Sequence, residues 1–478
     1  MRCTRAKTKQ SYFVKRHGGI SIFLCIVLSA IVLTESLLWL AAGKRGQEAD
    51  LMRCMRLQSA HALSSYNQVL LDYYGIYVVD KSLFQSTVFD TCFRSNDQTN
   101  ILIEPTSAMT VEQIRIGIVK FMQIRMPAYI AGEILSRINL ISDLIEDSGV
   151  KKIFESTKGS SAWLTYLTDL LSKKNEWTAT IKAAVEVAKE LDFTGTVEEV
   201  ESFFESVKFI AERGGTSFIQ GGSDVGDVLD VTVFANTLDY VEALYTPDLP
   251  ELLDTYLMDI YATSFFDSRI IEEVDGSASK PEENALGRKY QDLHPANYYD
   301  LEYVLTGVDN EILSGYITQQ LITDIRIIFD FASNLANKEK LEKSLGIANV
   351  LSVCISIISA GKAQIPAKAL QYLVLFVWSI GDGMSDALKL VKGESIPILL
   401  GDYFSGKYNI LNDALMTDYR DYINILLFVV PGSFKSDRMM QILTRDAGGE
   451  MHAGVRVTAD YDGNTYVMEE SYDAYNAT

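Results

Sequence analysis

The sequence predicts a mainly α fold of the α+β kind. It reads as an N-terminal transmembrane helix extended into a long helix, then a helical extracellular body with a few strands and a C-terminal β-hairpin. Three observations carry this reading. An apolar run from Gly18 to Ala42 follows a basic start. Long stretches after it repeat apolar residues at three- and four-residue steps, the helical period. Close to the end, VRVTADYDGNTYVMEE alternates around Asp462-Gly463, a two-residue hairpin signal.

The apolar run comes first. At about 1.5 Å per residue, Ile20 to Leu40 covers a hydrocarbon core of roughly 30 Å. Arg2, Arg5, Lys7, Lys9, Lys15 and Arg16 precede it with no acid among residues 1–17. That asymmetry places the N-terminus in the cytoplasm and the bulk outside the cell membrane, as a single-pass protein. The run exceeds the ~7–15 apolar residues of a cleaved secretory signal, and Leu40-Ala41-Ala42 is a poor cleavage site.

A pilin-type signal is a further reading. Lys15-Arg16-His17-Gly18-Gly19 followed by Ile20-Ser21-Ile22-Phe23-Leu24 resembles a prepilin leader, which would be processed between Gly19 and Ile20. Pilins carry Glu at the fifth position of the mature helix, and here Leu24 stands there. Glu35 is the one acid in the run. Near its outer end it either snorkels to the headgroups or pairs with a polar group on another membrane helix.

Beyond the run, Leu51, Cys54, Met55, Leu57, Ala60, Leu63, Tyr66, Leu70 and Tyr73 continue the helical period. The helix is expected to reach about Tyr74, with Gly75 ending it and Gly75–Asp80 forming a strand. Residues 81–108 read as a loop. Residues 109–215 read as a helical insert of amphipathic helices, and Thr196-Val197-Glu198-Glu199 as a capping box. The Gly- and Asp-rich stretch 214–234 holds Asp224, Asp227 and Asp230. These lack the spacing of a calcium loop and read as a solvated turn before a strand at Val228–Phe234.

Residues 268–299 read as an exposed irregular loop, and helices resume from Asp300. The apolar runs Val350–Ala360 and Ala369–Ile380 are short of a membrane span and read as core helices in preference to a membrane hairpin. The resulting segments are a basic cytoplasmic tail 1–17, a transmembrane helix 18–42, a helix extension, strand and loop 43–108, the insert 109–215, the main helical body 216–450, and the hairpin and tail 451–478.

Composition narrows the function. The net charge is −20, with the acid concentrated after residue 46. Phosphate binding needs basic patches, so nucleic acid is not a partner, whereas the lipid bilayer is. The five cysteines form no CxxC. Cys54 and Cys92 either bridge outside the cell or stay free, and Cys354 reads as a core residue.

The four histidines, His17, His61, His294 and His452, are scattered. No HExxH, GxSxG or GxGxxG after a strand occurs. Gly401, Gly406 and Lys407 have Walker A spacing, but Tyr408 stands where a Mg²⁺-binding hydroxyl belongs. Asp382 and Asp386 share one helix face, without a nearby His or second acidic pair. They read as a solvated or hydrogen-bonded face. Asp460, Asp462 and Asn464 read as the hairpin turn in preference to a calcium loop. No cofactor, metal site or catalytic set follows from the sequence.

Several stretches together resemble a family of single-pass membrane proteins of Gram-positive, clostridial-type bacteria. That family is associated with tight-adherence (Flp-type) pilus systems and their TadE/TadG-like pseudopilins. The matching residues are Gly19–Leu24 with Glu35-Ser36, Tyr66-Asn67, Leu71–Ile76, Leu301–Gly307, Trp378 with Asp382 and Asp386, and Tyr419–Ile423. The resemblance implies a non-enzymatic surface or pilus-assembly component, with other pilus or envelope assembly proteins as partners. An anchored extracellular ligand-binding or sensor domain is the alternative.

Overall fold

A computed structural model describes residues 12–93, 100–125, 174–191, 197–213, 249–269, 273–274, 277–278, 284–293, 299–361, 365–397 and 416–475. The fold is mainly helical, with a long apolar N-terminal helix and a small antiparallel sheet that includes the C-terminal hairpin. The chain forms two compact units. One comprises residues 1–67, 77–108 and 451–473, and the other 68–76, 109–450 and 474–478.

The first unit is built on α1 (Tyr12–Leu63), α2 (Thr87–Cys92), β1 (Asn100–Pro105), β2 (Gly454–Tyr461) and β3 (Asn464–Ser471). The strands run antiparallel in the order β1-β2-β3, with Asn100 opposite Asp460 and Tyr461 opposite Asn464. The turn between β2 and β3 places Asp462 (φ 51°) and Gly463 (φ 77°) in the left-handed region. A type I′ hairpin requires this, and Asp-Gly supplies it at little cost. β2 alternates, with Val455, Val457, Ala459 and Tyr461 buried on one face. Leu51, Cys54, Met55, Gln58, Ser59 and Ala62 recur at helical spacing on the rear half of α1 and are buried too. The two sets form the core of this unit, with Phe89 of α2 added.

Helix α2 is held to α1 by chemistry as well as packing. Cys54 and Cys92 are joined in a disulfide with Cα atoms 5.6 Å apart. The buried Gln58 carboxamide accepts from Phe89 N–H at 2.9 Å and donates to Gln85 O at 2.6 Å, which satisfies both of its ends.

The helix stops at Leu63, well short of the expected Tyr74. The Ser64 hydroxyl donates to His61 O at 2.6 Å, a local bond that competes with further helix. The chain then turns back. Asp80 N–H donates to Ser65 O, Asn67 N–H to Val78 O, and Val79 N–H to His452 O. The strand expected over Gly75–Asp80 is reduced to one antiparallel bridge, Tyr66 to Val79. Leu70–Tyr74 forms a single π-turn, and Gly75 (φ 67°) ends it as expected. The described residues of 81–108 are not a loop throughout, for they hold a 3₁₀ turn at Lys81–Leu83, then α2 and β1.

The second unit comprises α3 (Val111–Arg125), α4 (Lys174–Glu190), α5 (Val197–Arg213), α6 (Leu249–Phe265), α7 (Asp300–Thr306), α8 (Glu311–Ala336), α9 (Lys338–Ile358), α10 (Ala367–Val391), α11 (Tyr419–Val429) and α12 (Gly432–Ala447). α10 packs on both α8 and α9, α4 and α5 pack on α9, and α6 packs on α3 and α11. Asn337 ends α8 and caps α9, its side chain accepting from Glu339 and Lys340 N–H. A Cβ on Gly383 would meet Ile327 N at 2.9 Å, so only glycine lets α10 approach α8 this closely. Asp418 and Asp421 form a capping box that starts α11.

Of the expected exposed loop 268–299, Ala285, Gly287, Arg288, Lys289 and Asp292 are exposed, whereas Ser268 and Asn284 are buried and Asn284 donates to Tyr73 O at 2.6 Å. The insert is helical over 111–125, 174–190 and 197–213. The expected capping box at Thr196, the turn and strand of 214–234, and Gly401–Tyr408 lie outside the described residues.

Closing a loop of 38 residues, the Cys54–Cys92 bridge should stabilise the first unit by about 3–4 kcal/mol. Denaturant titration with and without reductant measures this. An unchanged midpoint on reduction would mean that packing alone holds α2.

Candidate functional site: an exposed apolar helix and a buried polar lattice

Helix α1 has two environments along its length. From Ile22 to Leu40 its large apolar side chains are exposed, up to 79% at Trp39. This stretch is long and apolar enough to cross a membrane. Its hydroxyls are satisfied within the helix, since Ser29 donates to Cys25 O, Thr34 to Ile31 O and Ser36 to Val32 O. An apolar solvent would therefore meet no unmade hydroxyl bond. Glu35 is exposed on this segment and Cys25 is a free, exposed thiol. Gly19 and Ile20 fall inside α1 with no helix break between them, and the side chain of Ile20 lies outside the described residues.

The second unit carries a lattice of buried charges. The Arg326 guanidinium, on α8, has no exposed surface. It donates to Asp386 Oδ2 through Nε at 3.1 Å and Nη2 at 2.5 Å, and to Pro397 O and the Tyr422 hydroxyl through Nη1. Asp330 Oδ1 lies 2.9 Å from Nη2, a charge contact off the hydrogen-bonding direction. Lys389 reaches Asp386 Oδ1 at 3.0 Å. A guanidinium does not lose its proton in a protein, so these acceptors are obligatory.

Nearby, Lys340 donates to Asn334 Oδ1 at 2.6 Å, and Asn334 to Ser379 Oγ at 2.8 Å. Lys340 also lies 3.9 Å from Asp382. The Asp382–Asp386 pair is therefore split. Asp386 is taken up by Arg326, while Asp382 stays half-exposed beside Lys340. Burial pushes Asp382 upward against the pull of Lys340.

Two more buried centres complete the lattice. Lys435 Nζ, on α12, is ion-paired with Asp259 Oδ1 and donates to Leu427 O at 3.0 Å. Burial pushes Asp259 up to about 6, against the attraction of Lys435, and lowers Lys435. Glu302 Oε1 accepts from Arg269 N–H at 3.0 Å and from the Tyr419 hydroxyl at 2.9 Å, while its Oε2 is buried without a hydrogen bond. Burial is the main cause of its rise to about 7. Burial likewise lifts Asp330 to about 7, against Arg326.

The lattice is a set of bonds that closes helices on one another. Among the described residues no group of three or more His, Cys, Asp or Glu is placed to hold a metal. Cys354 is buried in α9, and His452 Nδ1 lies 2.7 Å from Thr106 O. Sequence reasoning missed Arg326, Asp330, Asp259 and Lys435, and it gave no role to Glu302 within the Leu301–Gly307 stretch. A signal existed in α8, where Thr323, Arg326, Asp330 and Asn334 repeat at the spacing expected of buried apolar residues.

A family model described as a family of unknown function (DUF5702) matches residues 248–461. The match takes in all three buried charge centres and strand β2, and it begins after α1. No curated protein and no solved structure matches the chain.

Two outcomes follow from the lattice. Arg326→Met should cost about 3–5 kcal/mol in denaturant unfolding, because Asp330 is left buried without the guanidinium and Asp386 keeps only the partly exposed Lys389. A loss no greater than that of a surface substitution would show that water reaches the site. Glu302 sets a pH dependence. Its folded value of about 7 lies above the ordinary 4.5, so the folded state holds the proton more tightly. The stability this brings is full below pH 4.5 and is lost as pH rises to about 7, a change on the order of 3 kcal/mol. Melting temperatures from pH 4 to 8 should fall less steeply for Glu302→Gln than for the parent. Parallel curves would refute the assignment.

Proposed function

We propose that the protein is a membrane-anchored, pseudopilin-like and non-enzymatic component of a Flp-type (tight-adherence) pilus or a related envelope assembly, with its bulk outside the cell. The observation that carries this reading is the division of labour along α1. One unbroken helix offers an exposed apolar front half, and its rear half is the core of a small antiparallel sheet. A subunit held by such a helix can stay in the bilayer or pass its apolar half to neighbouring helices without refolding. The basic residues before the segment support an inward N-terminus. The Cys54–Cys92 disulfide supports an oxidising compartment for the unit behind it. The sequence resemblance supplies the pilus context.

Glu35 is the group through which the segment would pair with another membrane helix. Crosslinking in native membranes followed by purification should recover a pilus or secretion component with the parent protein. Glu35→Gln should lower that yield while the protein stays in the membrane fraction. Recovery of the protein alone would sink the assembly reading. Mass spectrometry of the mature N-terminus separates the two modes of anchoring, since Ile20 marks prepilin-type processing and Met1 a simple anchor.

A further inference from the structure

The β2–β3 hairpin is aligned with α1 residue by residue. At one end Lys44 Nζ meets Asp462 Oδ2 at 2.8 Å, and the Tyr461 hydroxyl donates to Gln47 Oε1 at 2.7 Å. The Tyr466 hydroxyl donates to Glu48 Oε1 at 3.2 Å. At the other end Ser59 donates to Glu470 Oε2 at 2.6 Å, and the Tyr472 hydroxyl to Leu63 O at 2.5 Å. From Glu48 to Leu63 the helix rises about 22 Å, and from Tyr466 to Tyr472 an extended chain rises about 20 Å. The two lengths agree. Strand β3 therefore runs alongside the helix axis, with the hairpin turn directed toward the apolar end of α1.

The distance from that turn to the apolar run is short. Helix α1 rises only about 6 Å between Leu40, the last large apolar residue, and Lys44. A bilayer of about 40–45 Å with a core of about 30 Å leaves a headgroup layer of roughly 5–7 Å on each side. Trp39, the most exposed of the large apolar side chains in the run, stands at that boundary, where aromatic rings settle.

We propose that the Asp462–Gly463 turn, together with Lys44 and Arg45, lies in the phosphate-bearing headgroup layer of the bilayer, so that the sheet stands on the membrane with its strands along the membrane normal. The proposal rests on the reading that α1 spans a membrane. Lys44 is more than half exposed and gives one of its three donors to Asp462, which leaves the others for lipid phosphate. Glu48, Asp460 and Asp462 offset the two cations. The helix thus sets the contact, with no need for anionic lipid.

The test uses the full chain in phosphatidylcholine liposomes that contain a lipid with a nickel-chelating headgroup. Cys3 and Cys25 are replaced by Ser, and a nitroxide is attached in turn at Asn464→Cys, Val467→Cys and Ser471→Cys. All three positions are exposed on β3. Nickel-induced relaxation should fall in the order 464, 467, 471, by at least about threefold across the roughly 23 Å between the ends. Equal relaxation at the ends, or the reverse order, overturns the proposal. A nitroxide on native Cys25, with Cys3 still replaced, reports the underlying reading. If oxygen dissolved in the acyl chains fails to relax it, the membrane span itself is wrong. If Cys25 lies in the core and 464 does not lead 471, only the placement of the hairpin fails.

Discussion

Between Leu40 and Leu51 the surroundings of α1 change from apolar side chains facing outward to apolar side chains enclosed by a sheet, and the helix does not break there. That continuity constrains everything in the first unit. Because the backbone ladder is unbroken, the two halves cannot turn independently, and the face of the rear half fixes where the strands lie. The sheet needs Leu51, Cys54, Met55 and Ala62 on one stripe, and the apolar front needs no stripe because it is apolar all round. A helix of this kind gives a small sheet a spine, because a sheet of few strands gains its stability by packing one apolar face. The disulfide and Gln58 then tie α2 to the same stripe.

The second unit meets a different constraint. Its helices enclose an arginine, a lysine and several carboxylates, groups that seldom enter a core without partners. Burying such pairs seldom adds stability over apolar packing, because desolvation offsets most of the attraction. Breaking them is costly, however, so a lattice of this kind penalises any packing in which a partner is misplaced. Arg326 has acceptors in α10, the stretch after α10, and α11, and a charge partner in α8. Glu302 joins α7, α11 and the chain after α6 through Tyr419 and Arg269. Each centre checks the position of several segments at once. These bonds also account for several stretches singled out in the sequence, since Asp386, Tyr419 and Tyr422 all act as internal partners.

Much of the architecture was legible because it follows periodicity. The apolar run, the helices of the second unit, the hairpin at Asp462-Gly463 and the core position of Cys354 all come from local patterns. What was hidden depends on distant partners. Strand β1 is a strand because β2, some 350 residues later, supplies its ladder, and Ile101 and Ile103 alone were too short a signal. The end of α1 was misplaced because the apolar period continues past Leu63, while the serine hydroxyls and the bridge to Val79 turn the chain aside. The Asp382–Asp386 pair was read as a helix face because nothing on α10 reveals Arg326. Spacing along α8 could mark Arg326 as buried, but spacing along one helix does not name a partner on another.

The pairing of β1 with β2 also orders events in time. Thr106 and Gly454, hydrogen-bonded neighbours at the edge of the sheet, are 348 residues apart. At a synthesis rate of about 5–20 residues per second, the partner strand follows on the order of tens of seconds later. During that interval the buried stripe of α1 and the inner face of β1 have no central strand to cover them. The first unit is thus begun by α1 and β1 and closed only when β2 and β3 have followed them. Most of the second unit, residues 109–450, lies between and is made before β2 can seal the first. For such a chain, final folding of the first unit reports that everything between its two halves has already been delivered.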